Sequence, residues 1–223
     1  MTTPVFAKGL RPGLYAITDS QLLPDDDQLL AGVAAAIRGG AVLVQYREKH
    51  LPAADKLRQA SALATLCRDH GVPLLINDDP QLALACGADG IHMGQSDGTL
   101  AAARKLLGPD AIIGMTCHGD IALAEQAEAE DADYLAFGRF FSSGTKPAAL
   151  PAEPSVLTEA ARLGLPRTAI GGITVENAAP LIQAGADLLA VIGGLFASQP
   201  AQTEARARAC TRLFLEHHPI FKL

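Results

Sequence analysis

Cysteine is scarce and scattered. Cys67, Cys86, Cys117 and Cys210 form no C-x-x-C pair, so reduced thiols are expected rather than disulfides or a zinc site. There is no excess of positive charge either: the net charge is −6 over 223 residues. That balance offers no global attraction for nucleic acid or for an anionic membrane, and neither is expected as a partner. No apolar run approaches the ~20 residues needed to cross a bilayer. Met1-Thr2-Thr3-Pro4 opens no basic segment leading into an apolar one, so no secretory signal is expected and the expected location is cytoplasmic. No linker or low-complexity stretch divides the chain, and residues 1–223 are read as a single domain.

What is present is alternation. Strand-like apolar runs occur at Leu14–Thr18, Val42–Arg47, Leu74–Asn77, Gly90–Met93, Ala111–Thr116, Tyr134–Phe137, Thr168–Ile170 and Leu188–Ile192. Between them lie Ala- and Leu-rich stretches such as Leu29–Arg38, Ala53–Asp69, Ile121–Glu130 and Val175–Ala184, with apolar residues at three- and four-residue spacing. Continuous apolar strands are buried on both faces, as in a parallel sheet, and strict alternation implies right-handed crossovers. Eight repeats predict an α/β fold, a single (β/α)8 TIM barrel; a doubly wound open sheet is the alternative, since sequence does not show closure. Gly87-Ala88-Asp89-Gly90, Asp131-Ala132-Asp133-Tyr134 and Gly185-Ala186-Asp187-Leu188 echo one another, with Gly39-Gly40-Ala41-Val42 a looser copy. They fall in αβ loops, the stability end of a barrel, so these Asp residues are read as structural.

The active site of such a barrel lies where its strands end. The second strand finishes Gln45-Tyr46-Arg47-Glu48-Lys49, and alternation sends residues 45, 47 and 49 to one side. An amide and two cations there form a cradle for a polyanion, against the alternative of a solvated charge cluster. The third strand ends Asn77-Asp78-Asp79, and the fourth runs through His92-Met93-Gly94-Gln95-Ser96-Asp97. Asp78 and Asp97 share one rim and can hold Mg²⁺ with water and phosphate oxygens; alone, each reads as a helix cap. Asp79 before Pro80 is the expected cap of the next helix. His92 is read as orienting a neighbour, and His118 as a candidate for proton transfer.

The sixth strand leads into Gly138-Arg139-Phe140-Phe141-Ser142-Ser143-Gly144-Thr145-Lys146-Pro147, whose hydroxyls and Lys can grip phosphate. Strands seven and eight end Gly171-Gly172-Ile173 and Ile192-Gly193-Gly194. Glycine pairs in those slots let backbone amides approach a phosphate monoester. Two anion sites on one rim are therefore predicted, suiting two substrates that meet between their charged ends.

These motifs together resemble the thiamine phosphate synthase family from about Leu14 to Phe196. The resemblance implies a Mg²⁺-dependent transferase, one ion per subunit, joining a pyrimidine diphosphate to a thiazole phosphate or carboxythiazole phosphate. It implies Asp78 and Asp97 as metal ligands. Gln45, Tyr46, Arg47, Glu48, Lys49, Asn77, Thr116 and Lys146 would lie at the pyrimidine diphosphate. Of these, Arg47, Lys49, Lys146 and Thr116 would be catalytic. Ser143, Gly144, Thr145, Gly172, Ile192 and Gly193 would hold the thiazole phosphate. The sequence departs from the family at Arg139, Thr116, Asp79, Gly144 and Gly193, where Pro, Ser, Arg, Pro and Ser respectively are common. A thiazole tautomerase using His118 as base, or a non-catalytic thiazole phosphate-binding protein, would not need Asn77, Asp78, Asp97 and Lys146 together. A sugar-phosphate isomerase would need an opposed acid/base pair that is not evident. A homo-oligomer is left open.

Overall fold

The structure, a computed structural model, describes residues 6–142, 150–197 and 199–221. Eight strands form a closed parallel barrel in chain order: β1 Gly13–Ile17, β2 Ala41–Tyr46, β3 Leu74–Asn77, β4 Gly90–Met93, β5 Ile112–His118, β6 Tyr134–Phe137, β7 Arg167–Ile170 and β8 Leu188–Val191. Closure comes from β1 pairing with β8, Gly13 opposite Leu188 through Ala16 opposite Val191. The helices are α1 Asp26–Arg38, α2 Ala53–Asp69, α3 Pro80–Cys86, α4 Leu100–Leu107, α5 Ile121–Ala129, α6 Ser155–Glu159, α7 Ala179–Gln183 and α8 Pro200–His217.

Period-two alternation divides the strand residues between two cores. Tyr15, Ile17, Leu43, Leu75, Ile112, Tyr134, Ala136, Leu188 and Ala190 pack inside the barrel. Leu14, Ala16, Val44, Tyr46, Ile76, Ile91, Ile113, Leu135 and Leu189 face outward to the helices. Strand burial on both faces is why the runs read as continuously apolar. Helix α8 lies along α1, where its Ala207 comes so close that a β-carbon on Gly39 would stand 2.3 Å away.

The repeated αβ loop has one construction in three places. Ala88, Ala132 and Ala186 each donate N–H to a carbonyl five residues back, on Ala83, Ala127 and Leu181, the closing bond of a Schellman helix end. Gly87, Asp131 and Gly185 supply the positive φ, at 68°, 68° and 108°. The Asp that follows then caps the neighbouring strand: Asp89 accepts from Leu74 N, Asp133 from Ile113 N and Asp187 from Arg167 N.

One predicted helix is shorter than its periodicity implied. In place of Val175–Ala184, α7 spans Ala179–Gln183. Asn177 Oδ1 accepts from Thr174 N and its Nδ2 donates to Gly172 O, closing a turn where the helix was expected to begin.

Candidate active site

Gln45 lies on an inward position of β2, and Arg47 follows two residues on, just past the strand's end. Gln45 is buried at 1% exposure, and Arg47 Nη1 reaches Asp19 Oδ2 at 3.3 Å on the rim after β1. Thr18 Oγ1 accepts from Arg47 N at 2.9 Å, tying the two strand ends together. Tyr46 and Glu48, expected at the ligand, have structural places instead. Tyr46 alternates outward and donates its hydroxyl to Gln59 Oε1 of α2 at 2.8 Å. Glu48 Oε1 accepts from His50 N and Leu51 N and shapes the β2–α2 loop.

Asp78 sits at the end of β3 with φ 63°, a left-handed conformation uncommon outside glycine. Its N–H donates to His92 O, anchoring this backbone against β4. Lys49 Nζ lies 3.6 Å from Asp78 Oδ2, and Asn77 Nδ2 donates to the same oxygen at 2.5 Å. Asp97, in the loop after β4, accepts from Gly94 N at 2.7 Å. The Asp78 and Asp97 carboxyls lie close enough to act on each other directly. Burial, reinforced by the neighbouring Asp97, pushes Asp78 above the usual carboxylate range. Burial also works against the Asp97 charge, but the bonds from Asp78, Gly94 N–H and Ser96, with Lys49 nearby, outweigh it and hold Asp97 low. The charge thus settles preferentially on Asp97, and the two acids disfavour being ionised together. Such a pair can hold a hard dication that leaves further positions to water or ligand oxygen. Among the described residues no third His, Cys, Asp or Glu joins them. Neither Asp caps a helix: Asp79 caps α3 through Leu82 N, and Thr99 caps α4 through Ala102 N.

Beneath these groups a line of polar side chains crosses the barrel. Gln45 Nε2 donates to Tyr15 Oη at 2.5 Å, and Tyr15 Oη meets Tyr134 Oη at 2.9 Å. Tyr134 Oη lies 2.8 Å from His92 Nδ1, and His92 Nε2 lies 2.9 Å from Thr116 Oγ1. His92 therefore does orient neighbours. His118 is exposed, with φ 51°, at the end of β5. Tyr15, Tyr134 and Asp19 were missed as site residues; the alternation that put Ile17 inward also puts Tyr15 there, and Asp19 directly follows a strand end.

Opposite, the loop after β6 runs against the β7 end: Phe140 N donates to Ile170 O and Phe141 N to Gly171 O. A β-carbon at Gly171 would meet Arg139 Cβ at 2.3 Å, and one at Gly172 would meet Ser142 O at 2.3 Å. Gly194 is equally confined, 2.2 Å from Ile173 O, whereas a β-carbon at Gly193 would meet nothing within 4 Å. Gly193 thus leaves its backbone open. Among the described residues no backbone carbonyl accepts from the amides of Gly172, Ile173, Gly193 or Gly194, so this corner offers N–H groups to an anion. Ile192 packs against the inner core beside them. Ser143, Gly144, Thr145 and Lys146 lie outside the described residues.

A closed barrel with a carboxylate pair, two cations and a glycine-built anion corner on one rim defines a phosphate-handling enzyme of the barrel class. Residues 14–195 match the profile of the family described as thiamine monophosphate synthase. The chain is 60% identical over 214 residues to the thiamine-phosphate synthase of Marinobacter nauticus, covering 96% of each. It superposes on the thiamine phosphate pyrophosphorylase of Pyrococcus furiosus with TM-score 0.81 and 28% identity, covering 92% of this chain and 96% of that one. A thiamine phosphate pyrophosphorylase from Bacteroides thetaiotaomicron shares the fold, with TM-score 0.65 and 17% identity over 92% of this chain and 100% of that one. The chain belongs to the thiamine monophosphate synthase family and is a transferase of thiamine biosynthesis.

Proposed function

We propose that this enzyme joins 4-amino-5-hydroxymethyl-2-methylpyrimidine diphosphate to a thiazole phosphate, or its carboxylated form, releasing thiamine phosphate and diphosphate, with CO2 as well when the thiazole is carboxylated. The observation that carries the substrate reading is the close Asp78–Asp97 pair beside Lys49. Two acids brought together with one ammonium between them leave room for a further cation when the site is at work. Mg²⁺ held by Asp78 and Asp97 would supply positive charge to the departing diphosphate. Arg47 and Lys49 would exchange their present carboxylate partners for diphosphate oxygens, and Asn77 and Lys146 would complete that grip. Gln45 and Thr116 would hold the pyrimidine. Ser143, Gly144 and Thr145, with the amides near Gly172, Ile192 and Gly193, would hold the thiazole phosphate.

The pyrimidine methylene carbon loses its bond to diphosphate oxygen and gains one to the thiazole nitrogen, so no protein nucleophile is required. The chain contributes position and charge. The proposed setting is cytoplasmic; among the described residues no helix is long and apolar enough to cross a membrane.

With both substrates supplied, thiamine phosphate should form in the presence of Mg²⁺ and stop on its chelation. Asp78→Ala should fold normally and lose at least about a hundredfold in kcat, the effect of removing a main electrostatic contribution. Tight thiazole phosphate binding without turnover at saturating Mg²⁺ would show a binding protein instead.

A further inference from the structure

The polar line below the mouth joins β2, β1, β6, β4 and β5 in that order, through Gln45, Tyr15, Tyr134, His92 and Thr116. Its inner members are sealed: Tyr15 is 1% exposed and Tyr134 0%. Gly114 makes the room, since a β-carbon there would stand 1.9 Å from the Tyr134 ring. Burial pushes both phenols above their usual range, so each keeps its single proton.

A phenol has one proton, and a neutral imidazole has one donor and one acceptor. With His92 neutral, those counts leave the line only two directions. With Gln45 Nε2 donating to Tyr15, Tyr15 donates to Tyr134 and Tyr134 to His92 Nδ1. His92 then carries its proton on Nε2 and gives it to Thr116, whose own proton is left for a ligand. Gln45 meanwhile keeps its carbonyl oxygen as an acceptor. Rotating the Gln45 amide reverses every bond, leaving Gln45 a donor and Thr116 an acceptor. With a neutral His92 no other arrangement places every buried proton within the line. The two ends are therefore always opposite.

We propose that Tyr15, Tyr134 and His92 are positioning residues that hold Gln45 and Thr116 in opposite hydrogen-bonding polarity, so that the mouth takes a heterocycle offering one donor and one acceptor. An aminopyrimidine, with its amino N–H and ring nitrogen, meets that requirement. Identifying the heterocycle as the aminopyrimidine rests on the function proposed above; the coupling between the two ends does not.

Side-chain ¹⁵N spectra of the full-length protein test the coupling without substrate, with the His92 signal assigned by its loss in His92→Asn. The unsubstituted protein should show one neutral tautomer, protonated on Nε2. Gln45→Met, three hydrogen bonds away, should convert that signal to a mixture of tautomers. The same substitution in a Tyr134→Phe background should leave the His92 signal unmoved; Tyr15→Phe breaks the line one link earlier and serves if Tyr134→Phe does not fold. A His92 signal unaffected by Gln45→Met, or one that responds equally in both backgrounds, overturns the proposal. In the two-substrate assay Tyr134→Phe should raise KM for the pyrimidine diphosphate about tenfold, the scale of one lost hydrogen bond. KM for the thiazole phosphate should stay unchanged, whereas a merely structural lesion would move both. Absence of thiamine phosphate formation in the unsubstituted enzyme would sink the proposed function, while the spectra would still decide the coupling.

Discussion

Asp187 shows how one carboxylate serves the fold at the end of the barrel away from the site. It is 4% exposed and accepts from Arg167 N and Nε at 2.9 and 3.0 Å, while His218 Nε2 lies 3.1 Å from its other oxygen. Burial raises the affinity of this carboxyl for a proton, but His218 and the Arg167 guanidinium together outweigh it and hold Asp187 below its ordinary range. A depressed carboxylate stabilises the fold above its unfolded value of about 3.9, and that stabilisation disappears as pH falls through the lower folded value. Asp187→Asn should therefore flatten the loss of stability below about pH 4 while costing about 3–5 kcal/mol at neutral pH, as broken buried ion pairs do. Urea melts between pH 2 and 7 would read both effects. An unchanged acid slope would remove Asp187 from the account of acid lability. The sequence disclosed the structural role of this residue through its repeat, but not its partner His218, which comes from 31 residues further along the chain.

Among the elements, α3 connects helix capping to chemistry. Its cap Asp79 directly follows Asp78, so the bond from Leu82 N to Asp79 Oδ1 fixes where the chain turns after the candidate metal ligand. Asp79→Ala should cost about 1 kcal/mol in denaturant unfolding, with Asp79→Ser recovering most of it; equal losses in the two variants would mean that capping is not what Asp79 contributes. This cap was legible from Asp-Pro alone, and the strands were legible because both faces of each are buried. Helix α7 was not, since Val175 extends the apolar spacing of Ala178 and Ile182 while the Asn177 side chain diverts the backbone into a turn. In α8, Thr203, Ala207, Cys210 and Phe214 form the buried stripe, a spacing of four, three and four.

At the scale of the whole molecule, the two ends of the barrel carry different burdens. The mouth gathers charges paired across its rim, as in Lys49 with Asp78 and Arg47 with Asp19. Ligands that take over those charges should stabilise the native state. Pyrimidine diphosphate with Mg²⁺ at about 100 times Kd adds ~2.7 kcal/mol, which for a chain of this length predicts a rise in Tm of roughly 5–11 °C. Calorimetry should detect it, and no shift with both ligands would mean that the mouth does not bind them. The rim was legible because strand ends are local in sequence. The polar floor was not, because Tyr15, Tyr134 and His92 come from β1, β6 and β4, and only closure of the sheet brings them together.

The three aspartates of the repeated loops each clasp the strand immediately before their own: β3 to β4, β5 to β6 and β7 to β8. The barrel is thus laced as quarters, three of them fastened from within. In the first quarter Gly40 precedes β2, with no carboxylate to do the fastening. There the Thr211 hydroxyl of α8 donates to Gly39 O at 3.0 Å, and Glu204 pairs with Arg38 at 2.9 Å. The opening quarter of the chain is therefore fastened by the closing helix and not by its own loop.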